Sequence, residues 1–229
     1  MRILAIDTST KFLCLAIYDR GKTYSCNVEV GKKLSSLLAV LIQRSCSAAA
    51  VKISDIDYFC VGLGPGSFTG MRIGVSVIKA LGWALGKPVL GISSLDIIAQ
   101  NADAGDRPII PVVDAKRNLI YCSFYRKDRG RLSRVKPYLL ISPQELAKTA
   151  PSGSVILGDA AQLHKQTLLS QVKGVTILDK DYWYPKAHNL VKLALEKIRA
   201  KKKTSPLAIE PIYLYPKECQ IRQVKRAGR

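Results

Sequence analysis

The spacing of apolar residues in the first half of the chain predicts strands followed by a helix. The runs at 2–6, 12–18 and 23–30 are typical of strands, and Asp19–Lys22 supplies a turn between the last two. The next apolar residues recur at the spacing of one helix face, at Leu34, Leu37, Leu38, Leu41 and Ile42. We therefore expect a meander of three strands and then an amphipathic helix that ends near Ala50.

A strand, a glycine loop and a helix form the next predicted unit. Tyr58–Leu63 is typical of a buried strand, the loop runs from Gly64 to Gly70, and a helix is predicted over 71–85. A short strand at 88–92 and a helix capped by Ser93 or Ser94 follow. The polar stretch 101–107 then indicates a boundary, so residues 1–102 are predicted to form a first lobe.

The second half repeats this order less distinctly. Strands are predicted at 109–113, 119–125, 132–138 and 154–157, and helices at 143–149, 160–170 and 187–201. Residues 103–229 are therefore predicted to form a second lobe. The fold class expected from the pattern is α/β, with two related lobes that each contain a sheet flanked by helices.

Charge changes this picture by suggesting a polyanionic partner. The 229 residues carry a formal net charge of +19, of which +14 lies after residue 100. Such an excess attracts nucleic acid, although a solvated lysine-rich surface explains it equally well. The hydrophobic content of 48% excludes a disordered chain.

The first residues and the cysteines indicate a cytoplasmic protein. The apolar stretch at 2–6 is too short for a signal peptide or a membrane span, so no membrane association is expected. The six cysteines are scattered, without a CxxC pair. They are expected to be buried thiols in a reducing compartment and not zinc ligands.

The glycine loop is the strongest candidate for a binding site. A loop between a strand and a helix directs backbone N–H groups at an anion, but a tight structural turn has the same composition. It lacks the Gly-Lys-Ser/Thr ending of a Walker A loop, and its glycines fit a dinucleotide fingerprint poorly. The candidate nucleotide- or anion-binding residues are those of the loop and of the ends of the two lobes' first strands: Asp7, Thr8, Ser9, Thr10, Gly64, Gly66, Ser67, Thr69 and Asp114.

Glycines also recur in the helix that follows the loop, at Gly70, Gly74, Gly82 and Gly86. Each interior glycine costs about 1 kcal/mol of helix stability relative to alanine, so a compensating close contact is expected. Another helix could approach here, either from the same chain or, as we favour, from a partner.

No catalytic or metal-binding constellation is evident in the sequence. His164 and His188 lack the spacing that places two ligands on one helix face, and no serine lies in a GxSxG turn. We therefore predict that the chain is not an enzyme and holds no metal.

Two motifs give the chain a specific resemblance. The sequences at 6–10 (IDTST) and 62–74 (GLGPGSFTGMRIG) closely resemble those of the TsaB (YeaZ) family of tRNA threonylcarbamoyladenosine biosynthesis proteins. Further matching segments follow in family order at 91–95, 113–117, 158–159 and 211–214. The resemblance covers most of the chain and is strongest in the first hundred residues.

The resemblance implies an actin-like ATPase fold and a subunit that has lost the metal-binding histidines of its catalytic paralogue, TsaD. It implies a heterodimer with TsaD, a ternary complex that includes TsaE, and a homodimer when the chain is alone. The complex would use ATP and Mg²⁺ and modify adenine 37 of tRNA, whereas this subunit would need no cofactor. Partner contacts are expected from the two helices of the first lobe, at Leu34, Leu37, Leu38, Leu41, Gly70, Met71, Arg72, Gly74, Val75 and Ile78.

Two other functions remain open from the sequence. The chain could be an independent actin-like phosphotransferase that uses Asp7 and Asp114 with Mg²⁺ and ATP. Alternatively, it could bind tRNA directly through the basic second lobe and the tail cations Arg222, Lys225, Arg226 and Arg229.

Overall fold

A computed structural model describes residues 1–128, 130–202 and 204–216, which form two mixed β-sheets covered by helices. The tail cations named above lie outside the described residues. No helix in the described part of the chain is long and apolar enough to cross a lipid bilayer.

The first sheet has the strand order β3-β2-β1-β4-β5. Its strands are β1 (Arg2–Asp7), β2 (Phe12–Asp19), β3 (Lys22–Glu29), β4 (Tyr58–Gly62) and β5 (Val89–Ile92). The first three are antiparallel, as the predicted meander requires, and β4 and β5 run parallel to β1. Arg20 and Gly21 close the β2–β3 turn with φ of 47° and 100°, a conformation that suits a two-residue hairpin loop.

Helices α1 (Leu34–Ala48) and α2 (Phe68–Ala84) cover one face of this sheet. Because side chains alternate along a strand, Leu4 and Ile6 of β1 pack beneath these helices, whereas Ile3 and Ala5 point to the opposite face.

The second sheet follows the order β10-β7-β6-β11-β12, and β8 and β9 extend from β6 as a hairpin. Its strands are β6 (Ile109–Lys116), β7 (Leu119–Cys122), β8 (Tyr125–Asp128), β9 (Arg131–Arg134), β10 (Leu139–Ile141), β11 (Val155–Leu157) and β12 (Thr176–Ile177). The other α-helices of the described residues are α3 (Ser94–Ala99), α4 (Pro143–Thr149), α5 (Asp159–Leu163), α6 (Lys165–Gln171) and α7 (Ala187–Arg199). The predicted α/β class with two mixed sheets flanked by helices is confirmed.

The two lobes exchange one helix each. Helix α3 precedes residue 102 but packs against the second sheet, opposite α4, α5 and α6. Helix α7 lies in the second half but covers the open face of the first sheet, where Leu190, Val191 and Ala194 are buried. The prediction that the helix at 187–201 belongs to the second lobe was therefore wrong, because α7 packs on the face of the first sheet around Ile3 and Ala5.

Candidate functional site

A cleft of about 940 Å³ lies between the two sheets. The first lobe contributes the loop after β1, the start of α1 and the loop before α2. The second lobe contributes the end of β6, Asp159 at the start of α5, and the segment 212–215. Its volume is that of a small-molecule site.

Asp7 is not available to a ligand in this cleft. Its carboxylate is fully buried and accepts hydrogen bonds from Ser9 N (2.8 Å), Ser9 Oγ (2.7 Å) and Ser94 Oγ (2.6 Å). Burial raises the pKa of Asp7, which these hydrogen bonds partly oppose. The prediction that Asp7 binds a nucleotide or its Mg²⁺ is therefore wrong: the residue joins β1 to the start of α3.

The other predicted binding residues divide into two groups. Thr8 and Gly64 are buried, and Thr8 Oγ1 donates to Gly70 O (2.8 Å), so both lie outside the cleft. The residues that do line the cleft are Ser9, Thr10, Gly66, Ser67, Thr69 and Asp114. Of these, Ser67 caps α2 by accepting from Gly70 N (3.2 Å), and its own N–H donates to Ser9 O (2.7 Å).

Two carboxylates on the second-lobe wall are already engaged. Asp114 accepts from the backbone N–H of Lys116 (2.8 Å) and forms an ion pair with its ammonium group. Partial burial raises the pKa of Asp114, but the interactions with Lys116 outweigh it and lower that pKa overall. Burial raises the pKa of Asp159, whose carboxylate accepts from Asp114 N (3.0 Å). These groups stabilise the turn after β6.

The segment 211–215 crosses the mouth of the cleft and joins the lobes. Ile212 N donates to Leu63 O of the first lobe (2.8 Å), and Tyr215 Oη donates to Ala115 O of the second (2.8 Å). Between them, Tyr213 Oη accepts from Arg72 Nε of α2 (3.0 Å). We call these residues the strap. The sequence marked residues 211–214 only as a match to the family and not as a link between the lobes, because the partners of this segment lie far away in the chain.

The glycines of α2 are explained by contacts within the chain. A Cβ on Gly70 or Gly74 would lie far inside van der Waals distance of Thr8, and one on Gly82 would lie too close to Val89. Gly86 follows the helix with φ of 62°, a conformation that suits a C-terminal cap. The preference for a partner helix as their neighbour was therefore wrong, since Thr8, which follows β1, and Val89 of β5 approach α2 instead.

Burial also corrects the predicted partner residues. Leu34, Leu38, Gly70, Met71, Gly74, Val75 and Ile78 are buried in this chain's own core, Leu37 and Leu41 are half-buried, and Arg72 is exposed. Buried residues cannot form a contact surface, and the apolar spacing of these residues marks the core face of each helix. The opposite faces carry exposed apolar side chains that the sequence reasoning missed, above all Val40 (41% exposed) and Trp83 (71%).

We define the α1–α2 surface as the solvent-exposed faces of the two helices, with Val40 on α1 and Arg72, Ser76, Ala80 and Trp83 on α2. The four α2 residues are exposed and follow one helix face at intervals of three or four. The guanidinium carbon of Arg72 lies 3.8 Å from the centroid of the Phe68 ring, which extends this surface towards the strap. An exposed tryptophan on a helix is unusual for a face that meets only water.

Comparison with known proteins places this fold and these motifs in one group. The family model described as "TsaD: tRNA N6-adenosine threonylcarbamoyltransferase" matches residues 28–210. The tRNA threonylcarbamoyladenosine biosynthesis protein TsaB of Bacillus subtilis is 35% identical over 73% of this chain and 75% of its own length. The TsaB protein of Escherichia coli is 26% identical over 93% and 94%.

A solved structure agrees with the sequence relatives. The structure described as YeaZ from Pseudomonas aeruginosa superposes with a TM-score of 0.84 at 25% identity, covering 93% of this chain and 99% of that one. Sequence identity, a family model and a fold that extends over both lobes thus agree. The chain belongs to the TsaB (YeaZ) family.

Proposed function

We propose that this chain is the non-catalytic subunit of the complex that makes N6-threonylcarbamoyladenosine at position 37 of tRNA. In this proposal it binds TsaD through the α1–α2 surface and stabilises the conformation of TsaD that transfers the threonylcarbamoyl group. The observation that carries the proposal is the 71% exposure of Trp83 on a helix whose other face is core. The names of the B. subtilis and E. coli relatives support the pathway.

The composition of the α1–α2 surface supports a protein partner. Trp83 and Arg72 are residue types that dominate binding energy at protein interfaces, and small Ser76 and Ala80 between them permit close helix approach. Half-buried Leu37 and Val77 pack against the core beneath, so the surface rests on rigid elements. The same surface would form the homodimer when TsaD is absent.

The remaining parts of the proposal concern the assembly. TsaE joins the complex of this chain with TsaD, and ATP and Mg²⁺ act there, so this subunit requires no cofactor of its own. The tRNA is bound by the complex, which works in the cytoplasm. The engaged carboxylates of Asp7 and Asp114 support a subunit without catalysis.

Binding of TsaD by a Trp83→Asp variant tests the proposal. A charge within an apolar contact should weaken binding by about 100-fold, measured by calorimetry, and abolish stimulation of tRNA modification in a mixture with TsaD and TsaE. The matched control is Leu163→Asp, which places the same charge at a 62%-exposed leucine of the second lobe. Normal binding by Trp83→Asp, or an equal loss with Leu163→Asp, would contradict the proposed surface.

The alternative hypothesis, that the chain is an independent phosphotransferase, makes a different prediction. It requires Mg-ATP to bind the isolated chain and to be hydrolysed, with both lost in Asp7→Asn. Because three hydrogen bonds within the chain already occupy Asp7, we expect Asp7→Asn to stimulate TsaD as the wild type does. Hydrolysis by the isolated wild-type chain that is lost in the variant would favour the enzyme.

A further inference from the structure

Helix α7 and the turn after it carry a dense group of cations. Residues 186–202 contain six basic side chains, at Lys186, Lys192, Lys197, Arg199, Lys201 and Lys202, and one acidic residue, Glu196. Within the described residues none of the six forms an ion pair. Lys192 and Lys197 donate instead to the neutral oxygens of Gln100 and Gly91. Their positive charge therefore remains uncompensated.

The orientation of α7 directs this charge to solvent. Leu190, Val191 and Ala194 are buried against the first sheet, so the apolar side of the helix is fully used. His188, Lys192 and Arg199 are exposed at intervals that place them on one face, and successive turns lie about 5.4 Å apart. A helix with no apolar side left to insert does not fit a membrane surface, but it does fit a polyanion.

A second basic element adjoins α7. Lys192 lines a groove of about 170 Å³ together with Lys127 and Gly130 of the β8–β9 hairpin. In that hairpin Asp128 pairs with Arg131, and because side chains alternate along a strand, Arg126, Asp128 and Arg131 lie on the face opposite Lys127. Of the three hairpin cations, Lys127 therefore borders the groove with Lys192, and its ammonium group there pairs with the exposed carboxylate of Asp103 (3.0 Å).

We propose that this α7–hairpin surface binds the phosphate backbone of RNA. The surface consists of Lys192, Arg199, Lys201 and Lys202, with Lys127 of the hairpin at its edge. It lies on elements other than α1 and α2, so one chain can contact TsaD and tRNA at once. The choice of RNA over other polyanions rests on the proposed function in tRNA modification. Phosphate contacts supply affinity and orientation without reading the base sequence.

Quadruple substitution of the α7 cations tests the inference on the full-length chain. Lys192→Gln, Arg199→Gln, Lys201→Gln and Lys202→Gln together should weaken binding of fluorescently labelled tRNA by about tenfold or more at 0.1 M salt. The slope of log affinity against log salt should fall by roughly 3, because each lost phosphate contact contributes about 0.7–0.9. Fluorescence anisotropy at several salt concentrations measures both quantities.

A second quadruple variant controls for net charge. Lys52, Lys148, Lys165 and Lys173 are exposed and lie outside the α7–hairpin surface, so their replacement by Gln removes the same total charge. We expect this variant to bind tRNA within about twofold of the wild type. An equal loss in both variants, or none in the α7 variant, would overturn the inference. An α7 variant that loses binding to vesicles of anionic lipid but keeps its affinity for tRNA would also overturn the inference.

The two proposals fail separately. The α7 variant should bind TsaD normally, whereas Trp83→Asp should lose TsaD and keep its affinity for tRNA as an isolated chain. Loss of TsaD binding in the α7 variant would show that the two surfaces are one, which contradicts the inference. A wild-type chain that binds TsaD but not tRNA refutes the RNA surface alone.

Discussion

Thr8 illustrates how a single residue links the two motifs of the first lobe, at 6–10 and 62–74. It follows β1, is fully buried, and donates its hydroxyl to Gly70 O, while its side chain fills the space that a Cβ on Gly74 would need. A hydroxyl close to a glycine loop suggested a ligand site in the sequence. The distance between residues 8 and 74 in the chain hid the fact that each is the other's packing partner.

Replacement of Gly74 by alanine measures this contact. The new methyl group would overlap Thr8, and we expect a net loss of about 1–2 kcal/mol, since overpacking outweighs the better helix propensity of alanine. Urea unfolding gives the value. Ser76→Ala, at an exposed position of the same helix, is the control and should not destabilise. If Thr8→Ala fails to relieve the loss in the double variant, the assigned contact is incorrect.

Asp7 gives the stability of the chain a pH dependence of predictable sign. Burial raises its pKa above the ordinary 3.8, so between the two values the folded chain holds a proton that the unfolded chain has released. Its contribution to the free energy of unfolding therefore increases as the pH falls through the folded pKa, and becomes constant below 3.8. Asp7→Asn removes this contribution. The free energy of unfolding of the variant, relative to that of the wild type, should therefore be highest near pH 7 and fall as the pH is lowered. A difference in unfolding free energy that stays constant from pH 4 to pH 8 contradicts this assignment.

Helix α2 shows that the apolar pattern specifies the existence and the core face of an element but not its exact ends. Its existence and core face follow from the apolar spacing, but it begins at Phe68, three residues before the predicted start, because Ser67 caps it. The helix predicted over 160–170 is divided at His164 into α5 and α6. Cap geometry and breaks depend on tertiary contacts, so the sequence predicted the longer elements better than their ends. It missed the short strands β10 and β12 and joined β7 to the start of β8.

The cap of α2 can be tested by itself. Ser67→Ala removes the oxygen that accepts from Gly70 N and should cost about 1 kcal/mol, equivalent to a fall in Tm of about 2–4 °C. Differential scanning calorimetry checks this. Thr69→Ala, at an exposed position inside the first turn, should change Tm less. Equal shifts would mean that general hydroxyl loss, and not capping, sets the effect.

On the scale of the whole molecule, the strap and the exchanged helices connect the lobes. The sequence predicted two related lobes, but not that α3 and α7 change sides, because no local pattern states which sheet an apolar helix face covers. Nor did it predict the cleft wall formed by 212–215, whose hydrogen bonds join residues 100 or more positions apart.

The strap hydrogen bond to the second lobe is open to direct measurement. Tyr215→Phe deletes the hydroxyl that donates to Ala115 O, and we expect it to cost about 1 kcal/mol and to speed hydrogen exchange in the turn after β6. Mass spectrometry locates the exchange. Tyr213→Phe, which loses only the exposed contact with Arg72, serves as the control and should leave that turn unchanged. Unaltered exchange in Tyr215→Phe would show that the strap does not hold the second lobe.

The crossed positions of α3 and α7 have a practical consequence for anyone who dissects this protein. Cutting the gene at the apparent midpoint would give an amino-terminal fragment whose first sheet lacks its cover over Ile3, Ala5 and Cys14, and a carboxy-terminal fragment without α3. Each fragment would expose the apolar sheet face that the missing helix covers, and we expect it to aggregate. Co-expressed from two plasmids, however, the halves carry each other's missing part and should reassemble into one soluble particle.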